Sequence, residues 1–414
     1  MRRISSSMTN NDIQGNLRLQ ESRLNRVSNQ ISSQQRLQSL REDPLAAGHL
    51  VRYQSYLGRV QTFEKNAQVL TDRFALTEGY MDQSLELMHR IRELAVTGAN
   101  GTYTPEDLKN MAEEVDELLK ELVQNANATG PDGNSLFAGT NTNRRAFDIE
   151  MGAIPGSSEP RISTVRYNGN IEGNKIEVDE GAYLETFSAG NRIFWSEPQQ
   201  LFSGRDASAF RVPEDSTILI DGKEISLNAG DNVYALVAKI NDSGAAVKAS
   251  VDPISFGLNL QTTDSRQLWM QDISGNVLND LGLIKDATQL PPYNLGDSVR
   301  VSGGSLFDTV IALRDAMLSG DQEAIGGRVL GSLDCAVNNL VTRIAESGAE
   351  YERAVNNIER NSLTALNVTN MISREGDLDF TKAVTDMKMM EYVQQATLST
   401  AGRLYSSSLL NYMR

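Results

Sequence analysis

Cysteine occurs once in 414 residues, at Cys335, so no disulfide framework can form within the chain. Histidine occurs twice, at His49 and His89, which leaves little material for metal ligation or acid–base catalysis. Aromatics are 6% of the chain and none precedes Tyr53, so the front of the chain offers no stacking platform for single-stranded nucleic acid. Residues 1–60 hold nine arginines, no lysine and four acids (Asp12, Glu21, Glu42, Asp43), a local balance of +5. The whole chain carries −15, so the remainder carries −20. A basic end can mark nucleic-acid or anionic membrane binding, but these arginines are scattered rather than clustered, and neither partner is expected.

No apolar stretch of seven or more residues follows Met1-Arg2-Arg3, which argues against a general secretory signal peptide, and nothing approaches a transmembrane span. Export, if it occurs, needs another route. There is no glycine-rich Walker sequence and no His-Glu-x-x-His. Carboxylate pairs such as Glu113-Glu114 and Asp116-Glu117 read as a solvated helix face, and Cys335 as a small residue near a helix seam. No catalytic, cofactor-binding or metal-binding residue is expected, and the chain is not read as an enzyme.

What the chain does have is two unbroken seven-residue apolar repeats of equal length. The first runs Tyr53, Val60, Ala67, Phe74, Met81, Met88, Ala95, with companions Tyr56, Phe63, Leu70, Thr77, Ser84 and Ile91. The second runs Leu330, Val337, Ile344, Tyr351, Ile358, Ala365, Ile372, with companions Leu333, Leu340, Ser347, Ala354, Asn361 and Val368. Spacings of three and four put both columns on one helix face, and a strict seven keeps that face on a partner helix. Each repeat spans 43 residues, about 65 Å of helix at 1.5 Å per residue. Two matched seams imply that the helices lie side by side, with Val60, Phe63, Ala67, Leu70, Phe74, Met81 and Met88 meeting Leu330, Val337, Ile344, Tyr351 and Ile358.

Outside the repeats the ends are thin. Ile13, Leu17, Leu24, Val27 and Ile31 form a narrow seam whose vacant position is filled by Gln20. Phe380, Ala383, Met387, Met390, Ala401 and Leu404 form another, with Gln394 and Thr397 between them and Leu409, Leu410 and Met413 beyond. Stripes this narrow do not offset chain entropy alone, so both ends are expected to be disordered in the free monomer and helical when packed together. Asp43-Pro44 and Thr104-Pro105 read as helix starts with their caps, and Ser305 as the cap of a helix over 306–318. Between the repeats, 162–167, 175–178, 217–220, 224–227, 247–251, 258–261 and 268–271 read as strands, with Asn168-Gly169 and Asp221-Gly222 where hairpin turns belong and one helix near 231–240. The fold class is mainly α with a β insert: a long antiparallel helical coiled-coil rod (45–139 and 305–373), a small mixed β domain (140–304), and terminal assembly helices (1–44 and 374–414).

This nesting resembles the bacterial flagellin family, and within it the hook-associated proteins that join hook to filament. The likeness rests on Gln30-Ile31-Ser32-Ser33-Gln34, Arg36-Leu37 and Asp43-Pro44-Leu45-Ala46-Ala47, and on Arg92-Glu93-Leu94-Ala95-Val96 and Leu409-Leu410-Asn411-Tyr412. Asn134 to Thr140 and Val165-Arg166-Tyr167-Asn168-Gly169 look like the junction version. Gln34-Gln35 replace the family's Gly-Lys, which tightens a bend that normally carries glycine. The resemblance implies a structural role at the hook–filament junction, the alternative being a flagellin-type filament subunit. It further implies neighbouring copies in a ring, another hook-associated protein on the hook side and flagellin on the filament side. An export chaperone at the C-terminal helix and passage through the flagellar export apparatus, to an external or periplasmic flagellum, complete that set. The assembly residues it points to are Ile13, Leu17, Leu24, Val27, Ile31, Met387, Met390, Ala401, Leu404, Leu409 and Leu410.

Overall fold

The computed structural model describes residues 6–39, 41–157, 159–186, 189–285 and 291–412, with the side chains of 6–10 and 403–412 left aside. The chain begins with α1 (Ser6–Ser33), α2 (Pro44–Gly98) and α3 (Pro105–Ala126). Strands β1 (Phe147–Gly152), β2 (Arg161–Tyr167), β3 (Lys175–Asp179) and β4 (Ala182–Glu185) follow, then a short α4 (Gly190–Ile193). Next come β5 (Gln200–Phe202), β6 (Ser216–Ile220), β7 (Lys223–Leu227), α5 (Val233–Asp242), β8 (Val247–Val251), β9 (Leu258–Thr262), β10 (Met270–Ser274), α6 (Val277–Asp280) and β11 (Arg300–Ser302). The chain returns to helix in α7 (Leu306–Ser319), α8 (Gln322–Ala324), a π-helical turn (Ile325–Val329), α9 (Leu330–Gly376) and α10 (Phe380–Tyr412).

Two compact units share this chain, one built from 1–65 and 357–414, the other from 66–356. In the first, α1 packs along α10. Asp43 caps α2 through the Ala46 N–H at 3.1 Å, with Pro44 at the first helical position, where a missing N–H costs nothing. Near the same start of α2, a Cβ on Gly376, the last residue of α9, would lie 3.2 Å from Leu50.

In the second unit α2 and α9 run antiparallel, joined by Arg92 and Asp334 at 2.6 Å. Val60 in the first unit and Ala67, Leu70, Phe74, Met81, Met88, Ile91 and Ala95 in the second are buried, while Phe63 is half-buried. On α9 the buried column is the companion one: Leu333, Leu340 and Ser347 in the second unit, Ala354 beside them, then Asn361 and Val368 in the first. Leu330, Val337, Ile344, Tyr351 and Ile358 are half-buried. The α9 face is thus turned by one seam position from the column the larger side chains suggest, so Ser347, Ala354 and Asn361 are buried alongside Leu333, Leu340 and Val368.

Helix α3 begins with a capping box in which Thr104 accepts from the Asp107 N–H and Asp107 accepts from the Thr104 N–H. Ser305 and Asp308 repeat the device at α7. These caps fix where each helix enters, so Leu108, Ala112, Val115, Leu119 and Leu122 of α3 face Phe307, Val310 and Leu313 of α7 in one core. That core also holds Phe137, Phe147, Tyr167 and Phe194, and Phe147 has its ring centroid 5.1 Å from that of Phe307. Each fully buried side chain of this size contributes about 1.5–3 kcal/mol relative to exposure.

The strands from β5 onward make a second core. Sheets ordered β10-β6-β7 and β11-β5-β9-β8 close over α5 and α6 around Leu201, Ile218, Leu236, Leu258 and Leu283. Asp221-Gly222 makes the β6–β7 hairpin turn, both residues at positive φ (47° and 78°). Asn168-Gly169 is not a hairpin turn: β2 pairs with β1 and β3 with β4. Strands β1, β4, β5 and β11 are additions to the sequence expectation, and the strand expected over 268–271 begins at Met270.

Candidate assembly surface

The side chains of α1 that turn toward α10 are Ile13, Leu17, Gln20, Leu24, Val27 and Ile31, all half-buried. On α10 the matching set is Ala383, Met387, Met390, Gln394, Thr397 and Ala401, with Ala383 and Ala401 buried and the rest half-buried. Both sets step by alternating four and three residues, the spacing of a narrow two-helix seam. Gln20 Nε2 donates to Thr397 Oγ1 at 3.4 Å across it. Leu404, Leu409 and Leu410 lie outside the residues whose side chains are described, as does Met413.

The bends that feed these helices are tied to each other. The Arg36 N–H donates to the Gly376 carbonyl at 2.7 Å, and Arg36 Nε to the Glu375 carbonyl at 2.9 Å. The Leu378 N–H donates to the Gln34 carbonyl, and Gln35 bridges Asp377. Gln34 itself sits at φ 57°, the left-handed region that a side chain resists, at the place where the family resemblance calls for glycine.

The same unit exposes apolar groups that the seam pattern missed. Met389 (63% exposed), Tyr392 (72%) and Leu398 (53%) lie on other faces of α10, and Leu363 and Leu366 (58% each) on α9. Their signal in the sequence was an excess of large apolar residues over what one stripe needs. Such groups on a paired helix mark contact surface rather than core.

In the second unit, the two segments that carried the junction resemblance meet. Tyr167 Oη donates to the carbonyls of Phe137 and Asn170, and burial pushes its phenol well above the ordinary range. The Asn170 N–H donates to the Ala138 carbonyl at 3.1 Å, and Asn170 Oδ1 accepts from the Thr140 N–H at 2.8 Å. A Cβ on Gly169 would lie 2.8 Å from the Ala138 backbone, so only glycine fits this approach. Tyr293 Oη accepts from the Tyr167 N–H, and burial raises its phenol to about 12.

A cleft of about 740 Å³ in the second unit is lined by Phe74, Arg192, Arg266, Arg343 and Glu346, among others. Its charges are answered internally: Asp264 takes Arg266 at 2.5 Å, Arg343 at 2.8 Å and Arg192 at 3.6 Å. Among the described residues no group of three or more His, Cys, Asp or Glu is placed to hold a metal, and no helix is long and apolar enough to cross a membrane. Cys335 is exposed, and partial burial with nearby Glu197 and Asp334 raises its thiol, which disfavours the thiolate. His49 approaches Glu375 at 3.9 Å and has its ring centroid 6.0 Å from that of Tyr53. Glu113, Glu114 and Glu117 pair with Arg161, Arg90 and Lys120 on the surface. Asp116 departs from the solvated face expected of it and is buried.

Comparison with known proteins adds the following. Residues 4–142 match the bacterial flagellin N-terminal helical region, and residues 214–264 match the flagellin hook IN motif. Polar flagellin A of Vibrio parahaemolyticus is 25% identical over 341 residues, covering 81% of this chain and 78% of its own length. Flagellin A of Vibrio anguillarum is 25% identical over 377 residues, with 91% and 89% covered. The crystal structure of flagellar hook associated protein-3 from Legionella pneumophila aligns at 15% identity with a TM-score of 0.48, over 78% of this chain and 97% of that one. FlgL from Bacillus cereus aligns at 13% identity with a TM-score of 0.42, over 78% and 99%.

Proposed function

The chain belongs to the flagellin family, a structural component of the bacterial flagellum, and on that premise we propose that it joins the hook to the filament. The observation that supports this reading over a filament role is the knot of Phe137, Ala138 and Thr140 with Tyr167, Gly169 and Asn170. Those are the segments that resemble junction proteins, and they form one buried contact rather than two separate loops.

On this reading the subunit sits in a ring of its own copies, with a hook-associated protein on one side and flagellin on the other. The α1–α10 pair supplies the assembly surface: its seam is thin and only weakly stable alone, and its outward apolar groups need neighbours. A terminal helix pair this weak opens readily, which suits passage through the flagellar export apparatus, and exposed Met389, Tyr392 and Leu398 suit cover by an export chaperone beforehand. Catalysis has no place in the proposal. The similarity to Vibrio flagellins favours the second reading, a filament subunit.

Purified chain added to isolated hooks separates the two. Short caps confined to hook ends, and flagellin shed into the medium by cells lacking the chain, are expected. Long filaments grown from the chain alone would establish the filament role instead.

A further inference from the structure

The α1–α10 seam contains one layer in which polar meets polar. Gln20 Nε2 donates to Thr397 Oγ1, whose own hydrogen goes to the Val393 carbonyl at 2.8 Å. Gln20 Oε1 is buried with no hydrogen-bond partner. An apolar residue here would bury area without that cost, so the layer weakens the pair it sits in.

We propose that Gln20 and Thr397 are the register-determining residues of the terminal helix pair. In two-helix seams, a single buried polar residue fixes register at the expense of stability, because any other alignment leaves it against hydrocarbon. The sequence makes that penalty explicit here. A slip of one heptad places Gln20 against Met390 or Leu404, and Thr397 against Ile13 or Val27. Only the observed alignment matches the two polar groups to each other. The remaining seam residues do not choose: Gln394 falls opposite Leu24 here and opposite Leu17 or Ile31 after a one-heptad slip, and Ala383, Met387, Met390 and Ala401 accept Leu17, Leu24, Val27 or Ile31 about equally well. Without the polar layer, one narrow seam would tolerate several alignments, each displaced by about 10 Å per heptad at 1.5 Å per residue.

The inference rests on the pairing of α1 with α10 and not on the junction role, so its test needs neither hooks nor filaments. In full-length chain carrying Cys335→Ser, two cysteine pairs are compared for intramolecular disulfide formation in dilute solution. Val27→Cys with Met390→Cys reports the observed register, being seven residues from Gln20 and Thr397 on each helix. Val27→Cys with Ala383→Cys reports a one-heptad slip. We expect the in-register pair to oxidise about tenfold faster or more, a selectivity of the size a single polar layer provides. Adding Gln20→Leu and Thr397→Leu should bring the two rates within about threefold while amide protection in 11–33 rises rather than falls. An unchanged rate ratio in the leucine variant would overturn the assignment. So would equal rates for both pairs in the parent, or no in-register disulfide at all.

Discussion

The guanidinium of Arg314, wholly withdrawn from solvent, donates to the carboxylate of Asp116 at 2.9 Å and to the carbonyl of Ile162 at 2.8 Å. One side chain thereby ties α7 to α3 and to β2, with Asp315 at 2.8 Å on its other side and Lys120 3.1 Å from Asp116. A buried ion pair adds little over a well-packed apolar pair, but removing one partner strands the other.

Arg314→Ala should therefore cost about 3–5 kcal/mol in urea unfolding of the second unit. Arg314→Leu combined with Asp116→Leu should cost clearly less than the sum of the two single changes. A single variant that unfolds at the parent midpoint would show that the pair holds nothing.

Gln34 adopts φ 57° at the end of α1. Left-handed backbone costs an ordinary residue about 1–2 kcal/mol, and glycine gives back about 0.5–1 kcal/mol through its freer unfolded chain. Gln34→Gly should thus raise local stability by a few tenths to about 1 kcal/mol, read as slower amide exchange at 36 and 378, where the two bends are bonded together. Gln34→Val should speed that exchange.

Asp264 sets an acid limit. Burial works against its charge, but the hydrogen bond from Arg266 and the charges of Arg266, Arg343 and Arg192 prevail, so its carboxyl titrates below the ordinary range. A carboxyl depressed in the folded state contributes stability that is complete above the unfolded value of about 3.9 and is lost as pH falls through the folded one. Asp221, raised first of all by burial despite Arg266, has the opposite sign: its charge costs stability at neutral pH and acid relieves it. Unfolding free energy followed from pH 7 to pH 2 should lose part of its acid limb in Asp264→Asn. Asp221→Asn should leave that limb in place.

Phe74 is 6% exposed on α2. Phe74→Ala should cost about 3–5 kcal/mol, and Phe74→Asp more. Glu93→Lys breaks only an exposed pair with Arg90 and should change stability by less than about 1 kcal/mol. Equal melting of all three would remove Phe74 from the core.

Met390→Glu places a carboxylate in the α1–α10 seam. The second unit should melt like the parent, export should continue, and filament attachment should be lost. Cells carrying it should make hooks and release filament protein, and normal attachment would make α10 a passive tail.

Helix ends were legible because their signals are local: Thr104-Pro105 and Ser305 each carry a cap whose partner is three residues away. Strands with alternation, such as β8 with Val247, Ala249 and Val251, were legible for the same reason. Strands β5 and β11 have three residues each and are strands only because β9 lies beside β5. Asn168-Gly169 misled because the dipeptide favours a hairpin turn, whereas here Gly169 serves a close approach to Ala138 and has no positive φ. Asp116 lay within an acidic run, and nothing short of Arg314, 198 positions away, could mark it as buried. The seams of α1 and α10 were both readable from spacing, but their register, Gln20 beside Thr397, needed the fold.

Gln20 and Thr397 are 377 positions apart in the chain, and they touch. If the chain is exported from its first residue, as the proposed role implies, α1 emerges long before the segment that completes it. On that reading, a subunit cut short before residue 397 could not close the α1–α10 seam. Truncated copies would then be excluded from joining by connectivity alone.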